Sequence, residues 1–182
     1  GLFLRGNAQK KWDGGGGDNQ WSSPANWFPD GVPLPTDGVI VDNAYVNSSY
    51  MVLLLEGAAS VTVAFLHLFP SGANSILLHL PAGNTASPAL VITGSGESLV
   101  LGNGSTLRNS SGAASGDVIL LSGQMRINND GRYLHNTPRG NAALIDKLSV
   151  AAGTELGIFE FDVPGTAGYT VSLTGNTFGS LV

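Results

Sequence analysis

From Val61 to its last residue this chain is a ladder of short apolar runs, each closed by a cluster of Gly, Asn, Ser or Pro. The runs are Val61 to Phe69, Ser75 to Leu80, Ala89 to Thr93, Ser98 to Leu101, Asp117 to Leu121, Gln124 to Ile127, Asp146 to Val150, Leu156 to Val163 and Tyr169 to Leu173. Many short strands punctuated by turn residues predict an all-β sandwich, barrel or solenoid. Helix is nearly excluded, since the runs are too short and too often broken. One exception is Asn141 to Leu148, where Asn141 could cap about two helical turns.

Composition agrees with a turn-rich β protein. Gly is 26 of 182 residues and only 12% are charged, yet 42% are hydrophobic, so the chain can build a core. Its length predicts one domain. A net charge of −5 with eight scattered Lys and Arg excludes an electrostatic footprint for nucleic acid. No run reaches the ~20 apolar residues of a membrane-spanning helix. The absence of cysteine excludes disulfides, thiolate metal sites and a Cys nucleophile.

Residues 1–8 read either as the tail of an export signal cut after Ala8 or as a disordered start. Residues 9–46 hold all three tryptophans, with Pro24, Pro29, Pro33 and Pro35. Such a stretch is too broken for a helix. It predicts a cap that covers one end of the β structure, because an open end exposes apolar side chains and unpaired edges. Residues 47–182 are then the coils. Gly179 to Val182 reads as the opening of one more strand, which either pairs within the domain or leads into further chain.

Trp12-Asp13-Gly14-Gly15-Gly16-Gly17-Asp18, Trp21-Ser22, Asn26-Trp27, Gly31-Val32-Pro33 and Asp37-Gly38-Val39-Ile40-Val41 carry a resemblance. Together they resemble the N-terminal region of large secreted bacterial β-helix surface proteins, autotransporter-like or adhesin-like. In those, W-D-G-G-G-D-x-x-W-x-x-x-x-N-W opens a right-handed solenoid. Gly157 to Val182 is similar in style to coils of the same proteins. The resemblance implies a right-handed parallel β-helix with a Trp-rich cap, at the outer surface of a bacterium or secreted from it. It implies a stiff structural or adhesive module, with surface glycans or host ligands as partners. A further possibility is end-to-end self-association through an open last coil. The alternative fold is an antiparallel sandwich or jelly roll. That alternative draws on the run spacing, which is 14, then 9, from Ser75 to Ser98 and irregular after Val118, with no strict period of 20–30 residues.

Candidate chemistry is sparse, and no catalytic residue is assigned. The competing function is a carbohydrate-binding or polysaccharide-cleaving β-helix. Trp12, Trp21, Trp27 and Phe28 would serve it as a sugar-stacking platform; the plainer expectation is that they form the core of the cap. Glu160 and Asp162, at i and i+2 in a strand, point to one face and could act as an acid/base pair or as oxygen ligands. Their plainer role is a solvated face opposite Phe159 and Phe161. Asp13 and Asp18, around the glycine run, could hold a lone Ca²⁺, though a tight turn in the cap is the plainer expectation; no other cofactor is expected. His67, His79 and His135 are too far apart for a local metal motif. Asn128 to Asn141, which contains Arg132, Tyr133, His135 and Arg139, reads as a protruding loop. The carbohydrate reading requires Glu160 and Asp162 to converge with that loop in a groove.

Overall fold

The computed structural model describes residues 8–165, 169–171, 173 and 175–182. Its strands are β1 (Gln9–Trp12), β2 (Trp27–Phe28), β3 (Gly38–Asp42), β4 (Tyr50–Leu53), β5 (Val61–Val63), β6 (Phe65–Phe69), β7 (Ile76–Leu80), β8 (Leu90–Ile92), β9 (Leu99–Leu101), β10 (Ser105–Asn109), β11 (Ile119–Leu121), β12 (Met125–Ile127), β13 (Arg132–His135), β14 (Ile158–Phe161) and β15 (Ser180–Leu181). A short helix, α1, spans Ala142–Ile145.

The strands form three sheets, ordered β2-β1-β3-β6-β9-β12, β4-β7-β10-β13-β14-β15 and β5-β8-β11. We call them the first, second and third sheets. The chain visits them in rotation: β3, β4, β5, then β6, β7, β8, then β9, β10, β11. Among the described residues the strands pair in parallel with their counterparts one coil away, except β2, which pairs antiparallel with β1. The molecule is a β-solenoid of about six turns, as expected, and not an antiparallel sandwich.

The pleat explains the alternation. Successive side chains point to opposite faces of a strand, so every second residue enters the interior and stacks on its equivalent one coil away. Val39, Leu66, Leu99 and Met125 form one such column, and Val52, Leu78, Leu107, Tyr133 and Phe159 another. All of these side chains are buried.

A coil repeat exists after all. Tyr50 faces Ile76, 26 residues on; Thr106 faces Arg132 and Arg132 faces Ile158, each 26 residues on. Elsewhere the step lengthens, to 29 from Val61 to Leu90 and 33 from Leu66 to Leu99. Insertions at the turns blur the period without breaking the stack.

The run Val61 to Phe69 is not one strand. It turns a corner at Ala64, leaving β5 in the third sheet for β6 in the first. Gly94 stacks on this corner, where a Cβ would lie 2.3 Å from the Ala64 carbonyl oxygen.

Asn128 to Asn141 is not a protruding loop. It contains β13, and Tyr133 and His135 point inward and are buried. The segment looks polar because its inward positions carry hydrogen-bonding side chains. The helix expected over Asn141 to Leu148 shrinks to α1. Asn141 occupies the N-cap position without a capping hydrogen bond; its amide donates to the Tyr169 hydroxyl at 2.6 Å. The α1 turn follows β13 where the third sheet would otherwise continue, and it buries Leu144 and Ile145. Leu148 alone bridges to Met125, so the expected strand there is one residue long. β15 pairs in parallel with β14 within the domain. In the expected strand Tyr169 to Leu173, Ser172 lies outside the described residues and the described ones are not in strand. The export-signal reading rests on residues 1–8, of which only Ala8 is described.

Candidate functional site

The three indoles are inside. Trp12, Trp21 and Trp27 are 2%, 1% and 0% exposed. Trp27 packs edge-on against Trp12 at 5.1 Å and against Trp21 at 4.6 Å, while Trp12 stacks on Tyr50 at 6.3 Å. The Trp27 Nε1–H donates to the Trp21 carbonyl at 2.8 Å. The reading of these three as a sugar platform is therefore corrected: no ring face is presented to solvent. They join the same apolar cluster as Val39, Val41 and Val52, which plugs the first coil. The reason is the pairing of β1 with both β2 and β3, which directs Trp12 and Trp27 inward.

The glycine run closes this plug. Asp13 Oδ1 accepts the Gly15 N–H at 3.0 Å. Asp18 accepts the Gln20 N–H, the Asn26 amide and the Ser23 hydroxyl at 2.7–2.9 Å. The Gln20 N–H, followed by Ser23 and Asn26, holds the Asp18 carboxyl below its ordinary value. Buried Asn26 also accepts the Gly16 N–H and donates to the Gln20 carbonyl. These carboxylates thus act as turn braces. Among the described residues, no group of three or more His, Asp or Glu side chains is placed to hold a metal ion.

Glu160 and Asp162 do meet the 128–141 segment, but each meets a different donor. Glu160 Oε2 lies 3.3 Å from Arg132 Nε on the preceding coil. Asn136 donates its amide to the Asp162 carbonyl at 2.6 Å and to Asp162 Oδ2 at 3.2 Å. Phe159 lies on the opposite, buried face, as the alternation predicts.

This polar strip continues toward the N-terminal coils. Arg108 donates to Ser110 Oγ at 3.0 Å and to Asn136 Oδ1 at 2.9 Å, and the Ser110 hydroxyl donates to Asn136 Oδ1 at 3.0 Å. His79 Nε2 lies 3.2 Å from Ser110 Oγ. Ser110 Oγ thus has Arg108, Asn136 and His79 as hydrogen-bond neighbours, which brace it between coils. Chemically the strip is a set of cross-coil clamps. Residues about one coil apart in sequence meet in it, a signal available only once the coil length is known.

A second polar cluster lies inside the solenoid, where sequence gave no hint of it. The column Leu80, Asn109, His135, Phe161 turns polar midway. His135 is fully buried. Its Nδ1 is 3.2 Å from the Tyr133 hydroxyl, and its Nε2 is 3.1 Å from the Arg139 carbonyl and 3.0 Å from the Tyr169 hydroxyl. Asn109 donates to the Tyr133 hydroxyl at 3.2 Å. Burial pushes the imidazole pKa down to about 4, against partial compensation from the backbone at Arg139 and Thr137. It likewise pushes the Tyr133 phenol above its ordinary value. A neutral, fully hydrogen-bonded imidazole without solvent access is a packing element.

No family model, curated protein or solved structure matches this chain.

Proposed function

We propose that this domain is a non-catalytic structural or adhesive module of an exported bacterial surface protein, a stiff β-helical stalk. One observation carries the reading: inward columns stacked coil on coil in unbroken parallel register. The coils from β3 to β11 are held to one another through backbone hydrogen bonds along three sheets, the later coils chiefly along the second sheet, and all by apolar contact inside, so bending requires many bonds to yield together. The plug of indoles supports the same reading, since it closes the end at which the stack begins. The polar groups of the outer strip bind one another across coils, which stiffens the stack further.

The test is enzymatic and physical together. The purified domain is incubated with polygalacturonate, alginate and xylan, and both reducing ends and unsaturated products are followed. Small-angle scattering on the same sample gives its shape. The stalk reading expects product at the blank level and a compact, rigid particle whose coil axis spans roughly 29 Å, six coils at about 4.8 Å each. Turnover that disappears in Glu160→Gln would establish the polysaccharide-cleaving alternative instead.

A further inference from the structure

While the tryptophans are buried, other aromatic rings line the outside. Strand β6 places Phe65, His67 and Phe69 at consecutive outward positions, with ring centroids 4.7 and 5.6 Å apart. Glycines on the neighbouring rungs make room for the two outer rings. Phe65 covers Gly38, where a Cβ would lie 2.0 Å from the ring, and Phe69 lies against Gly102, where the approach would be 2.9 Å. The rings are thereby held close to the sheet instead of standing free.

At the N-terminal edge of the same face, Phe28 and Tyr45 pack at 5.2 Å and are 51% and 49% exposed. The register puts Phe28 beside Lys11, Lys11 beside Ile40 and Ile40 beside His67, so all share one outer surface. Phe28 and His67 are three strand spacings apart, about 14 Å. Between the two aromatic groups Lys11 Nζ meets Asp42 Oδ2 at 2.9 Å, both side chains remaining partly exposed. Asp42, Asn43, Ala44, Phe69 and Ser71 line a shallow recess beside this pair.

We propose that this face of the first sheet binds a neutral pyranose oligosaccharide across Phe28, Tyr45 and Phe69, with the Lys11–Asp42 pair between them. The chemistry matches such a ligand. Ring faces accept the C–H face of a pyranose, and the ion pair keeps spare donors on Lys11 and spare lone pairs on Asp42 for equatorial hydroxyls. Exposed aromatic clusters mark interaction sites. A protein partner would favour a charge-depleted centre, whereas here a partly exposed ion pair sits in the middle. Because the pair cancels its own charge, the face offers a charged ligand no net attraction, which favours a neutral one. A stalk needs no ligand, so this site is an addition to the stalk reading and stands or falls separately.

Native gels cast with hydroxyethyl cellulose, mixed-linkage glucan or galactomannan test it, with polygalacturonate as the acidic control. The domain is expected to be retarded in at least one neutral gel and not in the acidic one. Phe69→Ala and Tyr45→Ala, each checked for an unchanged melting transition, are expected to weaken that binding at least tenfold. Leu120→Ala, an exposed apolar change on the third sheet, should leave it within twofold. The proposal is overturned by retardation in none of the neutral gels, by binding that survives in both aromatic variants, or by a sedimenting dimer that Tyr45→Ala dissolves, which would make the face a protein interface.

Discussion

Inside the solenoid, Tyr133 and His135 stand two residues apart on one strand, and the Tyr133 hydroxyl meets His135 Nδ1 at 3.2 Å. The partners fix the proton positions. The Tyr133 oxygen already accepts from Asn109, so its hydrogen goes to Nδ1, and Nε2–H donates to the Arg139 carbonyl and the Tyr169 oxygen. A second proton on Nδ1 would displace the Tyr133 hydrogen from its acceptor. Burial and this arrangement both disfavour the imidazolium.

Acid sensitivity follows with a definite sign. His135 has its pKa lowered from 6.5 to about 4 in the folded state. The stability this residue contributes is therefore full above pH 6.5 and is lost as pH falls through 6.5 toward 4. Integrated, the loss is on the order of 3 kcal/mol. Urea melts at pH 7 and pH 4 measure it. His135→Phe, which continues the aromatic column toward Phe161, is expected to reduce the difference between the two pH values, the remainder coming from His67 and His79, also lowered by burial, and from the hydrogen-bonded Asp18.

Trp27 anchors the plug. Trp27→Ala is expected to cost about 3–5 kcal/mol, the range for a large buried aromatic. Trp27→Phe should cost less, about 1–3 kcal/mol, through lost volume and an unpaired Trp21 carbonyl. Hydrogen exchange would show where the damage lies: faster exchange in β1 and β2, with β10 and β13 nearly unchanged, because each coil contacts only its neighbours.

These two cases also show what could be read from sequence. The strands were legible where apolar residues fill the inner columns, as in β7, β8 and β9. Strands β10 and β13 were hidden because Ser105, Asn109 and His135 occupy inner positions, and polar residues there imitate a loop. The tryptophan plug was legible as a cap, since three large rings in a Gly- and Pro-rich stretch need a common interior. The coil repeat was not, because turn insertions of several residues shift each coil out of phase. Nor were the exposed aromatic face and the Asn136–Asp162 clamp, since both depend on which residues become neighbours once the coils stack.

At the corner before β14, Gly157 N–H and Cα pass under the preceding coil. A Cβ there would lie 2.2 Å from the Ile127 carbonyl oxygen, which is backbone and cannot swing aside. Gly157→Ala is expected to destabilise by about 1–3 kcal/mol. Gly17, whose substituent would meet nothing within 4 Å but whose φ is +70°, should cost only about 1–2 kcal/mol on the same change, from backbone strain alone. Thermal melts of the two variants make the comparison.

The outer carboxylates should matter unequally. Glu160 pairs with a partly exposed Arg132, so Glu160→Gln is expected to change stability by less than about 1 kcal/mol. Asn136 joins Arg108, Ser110 and Asp162 at once, and Asn136→Ala leaves several half-buried groups without a partner. Its expected cost is about 1–3 kcal/mol, read from denaturant midpoints.

The parallel register is open to a direct chemical measurement, because the chain has no cysteine of its own. Leu77 and Thr106 face each other across β7 and β10, whereas Arg108 faces His79. Adjacent strands lie about 4.8 Å apart, within the Cα range a disulfide spans. On mild oxidation, Leu77→Cys with Thr106→Cys should form an intramolecular disulfide, while Leu77→Cys with Arg108→Cys should stay mostly reduced. Equal crosslinking of both pairs, or crosslinking of the second alone, would contradict the stacked parallel coil.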